Sequence, residues 1–237
     1  MKVVILAGGK GRRLYPYTVV LPKPLMPIGD FPILEVMLKQ LKNCNLTDIT
    51  IAVGHLGNLI QTYLGDGKKL GVNIEYSFEE EPLGTVGPLT LIPGLDETFM
   101  VTNGDLLTTL DYLKLIAYHK KQKSIATIAA QKRSVDVDFG VIQRNKDDQM
   151  VKYVEKPTLS YTVSMGIYIF EPEILNFLPK DEKFDFPDLM QLLLQKRKNV
   201  VIYNSDDFWL DIGRPDDYQK AVEEFEKNKK KFLHKGI

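Results

Sequence analysis

Along the first half of the chain, short apolar runs rich in β-branched residues alternate with segments whose apolar residues recur at helical steps, a pattern that few architectures accept. The runs are Val3 to Leu6, Ile49 to Val53, Val72 to Tyr76 and Phe99 to Thr102. Between them Ile33, Val36, Met37 and Leu41 share one helical face, and Leu113, Ile116 and Ala117 do likewise. Each helix must lay its apolar stripe on the strands, so the alternation predicts an α/β fold with a doubly wound, mostly parallel sheet. After about Ile125 the pattern becomes mixed and β-rich, with runs at Ile125 to Ala129, Phe139 to Gln143, Val151 to Val154 and Val163 to Phe170. Helices are expected at Phe186 to Gln195 and at Pro215 to Lys227, the second with Tyr218, Val222 and Phe225 on one face. The expected organisation is a single domain over residues 1–237, divided near 124/125 into two halves packed as one unit.

Lys plus Arg and Asp plus Glu both number 31, so no global field draws the chain to nucleic acid or to an anionic membrane. Cys44 is the only cysteine, which excludes an intrachain disulfide and a multi-cysteine zinc site and fits a reducing compartment. The run Val3 to Ala7 is shorter than a signal-peptide core, and nothing later approaches a membrane span. A soluble, cytoplasmic protein is expected. The Lys-rich stretch Lys227 to Lys231 reads as a solvated helix end.

Gly8, Gly9 and Gly11 directly follow the first run, and Arg12 and Arg13 come next. Glycines let backbone amides approach an anion and guanidiniums neutralise it, so the segment fits a triphosphate cradle; a plain tight turn accounts for the glycines equally. A P-loop is excluded because no Gly-x-x-x-x-Gly-Lys-Ser/Thr spacing occurs, and Leu14 stands where a dinucleotide fingerprint needs its third glycine. Asn103-Gly104-Asp105 puts a carboxylate at the end of the fourth run, where open α/β sheets bind ligands, although a simple Asn-Gly turn has the same pattern. His55, His119 and His234 lie outside these segments and read as surface or packing residues.

Taken in order, Leu6-Ala7-Gly8-Gly9-Lys10-Gly11-Arg12-Arg13-Leu14, Pro22-Lys23-Pro24, Asn103-Gly104-Asp105, Glu155-Lys156-Pro157 and Trp209-Leu210-Asp211-Ile212-Gly213 resemble the motifs of sugar-1-phosphate nucleotidyltransferases. The likeness runs from Met1 to about Phe225 and is nearest to mannose-1-phosphate guanylyltransferase-like members. It implies a Rossmann-like nucleotidyltransferase fold with a nucleotide-binding first half and a β-rich, sugar-binding second half. It further implies that Leu6, Ala7, Gly8, Gly9, Gly11 and Arg12 wrap a nucleoside triphosphate. Arg13 would bind its β- and γ-phosphates, Lys23 the phosphates being joined and Lys156 the phosphate of a sugar 1-phosphate; these three are the implied catalytic residues. Asn103, Gly140, Glu155 and Ser164 would line the sugar pocket, and Asp105 with Asp211 would hold one Mg2+. Arg12 and Ser164 depart from the family, which usually has threonine and asparagine there. Lys23 and Lys156 are both expected in a cleft rather than a core. Related guanylyltransferases often carry a C-terminal β-helix, and no hexapeptide repeat of that kind is expected here.

The resemblance also assigns base recognition to the segment Glu79-Glu80-Glu81-Pro82-Leu83-Gly84-Thr85. A carboxylate can accept both the N1 hydrogen and the N2 amine of guanine, whereas uracil and thymine flank their single donor with carbonyls that repel it. An acidic loop therefore favours GTP over UTP, dTTP or CTP, with Glu79 or Glu81 as the reader beside Gly84 and Thr85. A retaining glycosyltransferase would need an Asp-x-Asp metal motif, and Asp136-Val137-Asp138 reads as a charged turn instead. A non-catalytic nucleotide-sugar binder would not need Arg13, Lys23, Asp105, Lys156 and Asp211 together. The oligomeric state is expected to be a monomer or a small homo-oligomer.

Overall fold

A computed structural model describes residues 1–180 and 182–233. The first half runs β1 (Val3–Ala7), β2 (Pro27–Ile28), β3 (Phe31–Pro32), α1 (Ile33–Asn43), β4 (Asp48–Val53), α2 (Gly57–Leu64) and β5 (Asn73–Phe78). It continues through β6 (Phe99–Asn103), β7 (Leu106–Thr108) and α3 (Tyr112–Gln122). The second half contributes β8 (Ala126–Asp136), β9 (Val141–Arg144), β10 (Met150–Val154), β11 (Thr158–Phe170), α4 (Phe186–Gln195), β12 (Val200–Asn204), β13 (Trp209–Asp211) and α5 (Pro215–Leu233).

Seven strands form one sheet in the order β12-β8-β11-β6-β1-β4-β5. The β6-β1-β4-β5 block and the β12-β8 pair are parallel, and β11 runs antiparallel to both of its neighbours. Val3, Val4 and Ile5 are fully buried because helices cover both faces of a parallel sheet, which is why β1 reads as a continuous apolar run. One face packs on Leu34, Met37, Leu38 and Leu41 of α1, the other on Leu189 and Leu193 of α4. A third apolar cluster sets Leu14, Met26, Ile28, Ile33 and Ile212 against Ala221 and Phe225 of α5.

Three details differ from the sequence expectation. The stripe of α3 is Tyr112, Leu115, Ile116 and His119, while Leu113 is 53% exposed and Ala117 also faces out. His119 moves the phase: its ring is buried and hydrogen-bonds Thr127 at 2.8 Å and Glu171 at 3.0 Å, so a polar residue occupies a core position. Phe139 lies outside β9 and is exposed. Helix α2 and the short strands β7, β12 and β13 are elements beyond those expected from the sequence. His234 lies outside the described residues. No helix among them is long and apolar enough to cross a membrane.

Candidate active site

Neighbouring parallel strands end on the same edge of the sheet, and the register aligns those ends closely. Leu6 is paired with Asn103, Ala7 with Val53, and Val53 with Phe78. Gly8, Gly54, Glu79 and Gly104-Asp105 therefore emerge side by side at the carboxyl edge. Strand β1 is flanked by β4 on one side and β6 on the other, so the chain order diverges there and opens the crevice that ligands use in such sheets. The Gly104 amide donates to the Leu6 carbonyl at 2.9 Å, which ties the carboxylate turn to the root of the glycine loop.

The loop after β1 is held from below. Leu14 is fully buried and Met26 nearly so, and these anchors leave Arg12 and Arg13 exposed above the loop. Gly11 has φ 62°, and the Thr18 hydroxyl donates to its carbonyl at 2.9 Å. Lys23 runs beneath Gly11 and forms an ion pair with Asp105, their side chains only 12% and 18% exposed. The glycine loop covers the Lys23 stem, and its ammonium reaches the carboxylate from beneath the loop.

Asp211 reaches the same place through tertiary pairing. Strand β13 pairs antiparallel with β7, Asp211 opposite Leu106, and the Ile212 amide donates to the Asp105 carbonyl at 3.1 Å. Burial pushes the Asp211 carboxyl above the usual carboxylate range and the Asp105 charge adds to this, while Lys23 and Arg13 pull it back. Arg13 Nη2 lies 3.3 Å from where a Cβ on Gly213 would sit, so the guanidinium packs on the turn after Asp211. Arg13, Lys23, Asp105 and Asp211 form one electrostatic group. Two carboxylates that repel each other in a half-buried site suit Mg2+, which binds one or two carboxylates and takes its other ligands from water and substrate phosphates. No cluster of three or more metal-type side chains occurs among the described residues. Arg13 and Asp211 also line a cavity of about 830 Å³ that extends to Arg133 and Lys220.

Beyond the glycine loop, Glu79 turns its carboxylate over Gly8 and Gly54, where a Cβ on either glycine would collide with Oε1. Its Oε2 accepts the Leu83 amide at 3.1 Å. Glu80 and Glu81 are exposed. Gly84 has φ 82°, and the Thr85 amide and hydroxyl both bond to the start of α4, with Asp185 and the Phe186 amide respectively.

The candidate sugar residues fall into two groups. Asn103 packs its amide against Gly166 next to Asp105, and the Ser164 hydroxyl donates to Tyr168 at 3.0 Å while accepting the Gly166 amide. Gly140, Glu155 and Lys156 gather instead around the β9–β10 hairpin. Tyr153 donates to Glu155 at 2.9 Å, Gly140 leaves room for both, and Lys156 is exposed. No described hydrogen bond or ion pair joins this second group to Asp105, Asp211 or Lys23. Asp136 accepts a hydrogen bond from Thr158 at 2.6 Å at the end of β8, as a strand-end residue does.

A family model described as nucleotidyl transferase matches residues 2–228. The chain belongs to that family. The chain is 35% identical over 242 residues to a UTP–glucose-1-phosphate uridylyltransferase of Synechocystis, covering 94% of the chain and 62% of the relative. It is 34% identical over 230 residues to a mannose-1-phosphate guanyltransferase of Yarrowia lipolytica, covering 92% and 62% respectively. The chain thus spans about three-fifths of the length of the curated relatives it matches. Among solved structures, HddC from Yersinia pseudotuberculosis complexed with GMP-PN superposes with a TM-score of 0.73 at 28% identity, over 94% of this chain and 99% of that one. The mostly parallel mixed sheet is the fold they share.

Two supporting residues, Gly54 and Arg133, are not singled out by the sequence, and Trp209 there only opens the Asp211 motif. Gly54 meets Gly8 across the strand ends, and a glycine directly after a parallel strand is the same signal that marked Gly8 and Gly104. Trp209 donates its indole N–H to the Met165 carbonyl at 2.8 Å, steadying the turn beside Asn103. Arg133 lies over the Trp209 ring and donates to its carbonyl at 3.0 Å. Only the pairing of distant strands reveals these last two.

Proposed function

We propose that this protein transfers a nucleotidyl group from a nucleoside triphosphate, GTP first among the candidates, to a sugar 1-phosphate, releasing pyrophosphate. The observation that carries this reading is the convergence of Arg13, Lys23, Asp105 and Asp211 on the glycine loop at the carboxyl edge of β1 and β6. Backbone amides of the loop and the Arg13 guanidinium hold the triphosphate, and Lys23 faces the α-phosphate. Lys156 brings the sugar phosphate in line, so that one of its oxygens attacks the α-phosphorus as the bond to the β-phosphate breaks. A phosphate monoester has its second pKa at about 6, so the nucleophile is already ionised at neutral pH and no general base is needed. His119 agrees with this, since its ring nitrogens are occupied by Thr127 and Glu171 in the core. Asp105 and Asp211 would hold Mg2+, which supplies charge neutralisation on the phosphates.

The Glu79 carboxylate over Gly8 supports GTP, because it can accept the paired donors of guanine. The guanyltransferase relative and the GMP-PN complex agree with that choice, and the uridylyltransferase relative makes UTP the second reading. A cytoplasmic enzyme with one catalytic unit over residues 1–237, monomeric or a small homo-oligomer, belongs to the same proposal. The test is pyrophosphate release for GTP, UTP, dTTP and CTP against mannose, glucose, glucosamine and heptose 1-phosphates, with Glu79→Gln in parallel. GTP is expected to lead, and Glu79→Gln to lower the GTP-to-UTP ratio about 10–100-fold. UTP turnover above GTP in the unmodified protein refutes the base assignment, and nucleotide binding with no turnover in any pairing refutes the enzyme.

A further inference from the structure

Helix α4 begins with an exchange of hydrogen bonds across the two halves of the chain. Asp185 occupies its N-cap position, where an aspartate ordinarily accepts an amide of its own first turn. Here the carboxylate makes no such bond. Its Oδ1 accepts the Thr85 amide at 2.8 Å, and the Thr85 hydroxyl accepts the Phe186 amide at 2.9 Å. Each segment caps the other over a separation of about one hundred residues. Backbone bonds extend the seam, with the Phe184 amide donating to Leu83 at 2.9 Å and the Phe184 carbonyl accepting Val86 at 3.1 Å and Gly87 at 3.2 Å. Gly84, at φ 82°, lies so close that a Cβ would stand 2.6 Å from the Phe184 carbonyl and 2.9 Å from Asp185 Oδ1.

The other end of the seam is Glu79, whose carboxylate accepts the Leu83 amide and overhangs Gly8. We infer that Asp185 is a positioning residue for nucleotide selection, which holds the Leu83–Gly87 loop so that Glu79 and Gly84 meet the base in a fixed geometry. It touches no reacting atom. Its influence passes through Thr85, Gly84 and Leu83 to Glu79, so its loss weakens nucleotide binding and base discrimination and leaves the transfer step intact. The inference rests on the nucleotidyl transfer proposed above and deepens it.

Asp185→Ala and Asp185→Asn separate this role from a merely structural one, because the asparagine carbonyl can still accept the Thr85 amide. In Asp185→Ala the KM for the nucleotide is expected to rise about tenfold, equal to roughly 1.4 kcal/mol. Its kcat and its KM for the sugar phosphate stay within about twofold, and its preference between GTP and UTP narrows. Asp185→Asn restores the wild-type values. Hydrogen exchange of the Leu83–Gly87 amides, read on the same proteins, is expected to quicken in Asp185→Ala alone. Wild-type nucleotide KM and wild-type exchange in Asp185→Ala overturn the inference, as does equal loss in the alanine and asparagine variants. If the unmodified protein turns over no nucleotide, the proposed function fails; unchanged exchange in Asp185→Ala then overturns the latch separately.

Discussion

Gly8, Gly9 and Gly11 belong to one loop, yet a methyl group added to each meets different neighbours, and this ranks their alanine variants. At Gly11 the new Cβ falls 2.7 Å from Lys23 Cγ and 2.9 Å from Thr18 Cγ2, on a backbone at φ 62°. The left-handed backbone costs about 1–2 kcal/mol and the overpacking about 1–3 kcal/mol, while the stiffer unfolded chain returns about 0.4–1 kcal/mol. Gly11→Ala is therefore expected to lose about 1–5 kcal/mol of stability and to displace Lys23 from Asp105. At Gly9 nothing lies within 4 Å of the new Cβ and φ is outside the left-handed region, so the change stays within about 0.5 kcal/mol. At Gly8 the collision is with Glu79 Oε1, the far end of a flexible side chain. Gly8→Ala should cost about 1 kcal/mol, roughly the hydrogen bond from Leu83, and act mainly on base preference. Urea unfolding followed by the fluorescence of Trp209, the only tryptophan, measures all three. A loss for Gly9→Ala equal to that of Gly11→Ala would refute the reasoning, since it would mean that the loop punishes any side chain alike.

Lys23→Met leaves Asp105 and Asp211 without their ammonium, so it should lose about 1–3 kcal/mol at neutral pH and lower turnover about 10²–10³-fold. Added Mg2+ should return more stability to this variant than to the unmodified protein in thermal melts; an equal response would remove the two carboxylates from the metal site. For Asp211 the folded proton affinity is raised, so its stabilising contribution is complete below its ordinary value of 3.8 and is lost as pH rises through the folded value. Asp211→Asn is therefore expected to melt above the unmodified protein at pH 7 without metal, with the gap closing as pH falls towards 3.8, while activity disappears. A variant that melts lower at pH 7 would reverse the sign of that argument.

What the sequence by itself determined is what local chemistry encodes. The run Val3 to Leu6 signals a buried parallel strand, Gly8 to Gly11 a close-approach turn, and the spacing of Ile33 to Leu41 a helix, because strand and helix periods and glycine turns depend on adjacent residues. The order of motifs added the nucleotidyl transferase resemblance before any contact was known. Tertiary structure decided everything that joins residues far apart. It paired β7 with β13 and so brought Asp211 to Asp105, ran Lys23 beneath Gly11 to meet that same carboxylate, and set Glu79, rather than Glu81, over Gly8. It also chose the buried face of α3, since His119 enters the core only when Thr127 and Glu171 arrive to satisfy its ring. The exchange between Thr85 and Asp185 has the same origin. A hydrogen bond between segments a hundred residues apart leaves no period in the chain, because its geometry exists only once the sheet has placed both partners.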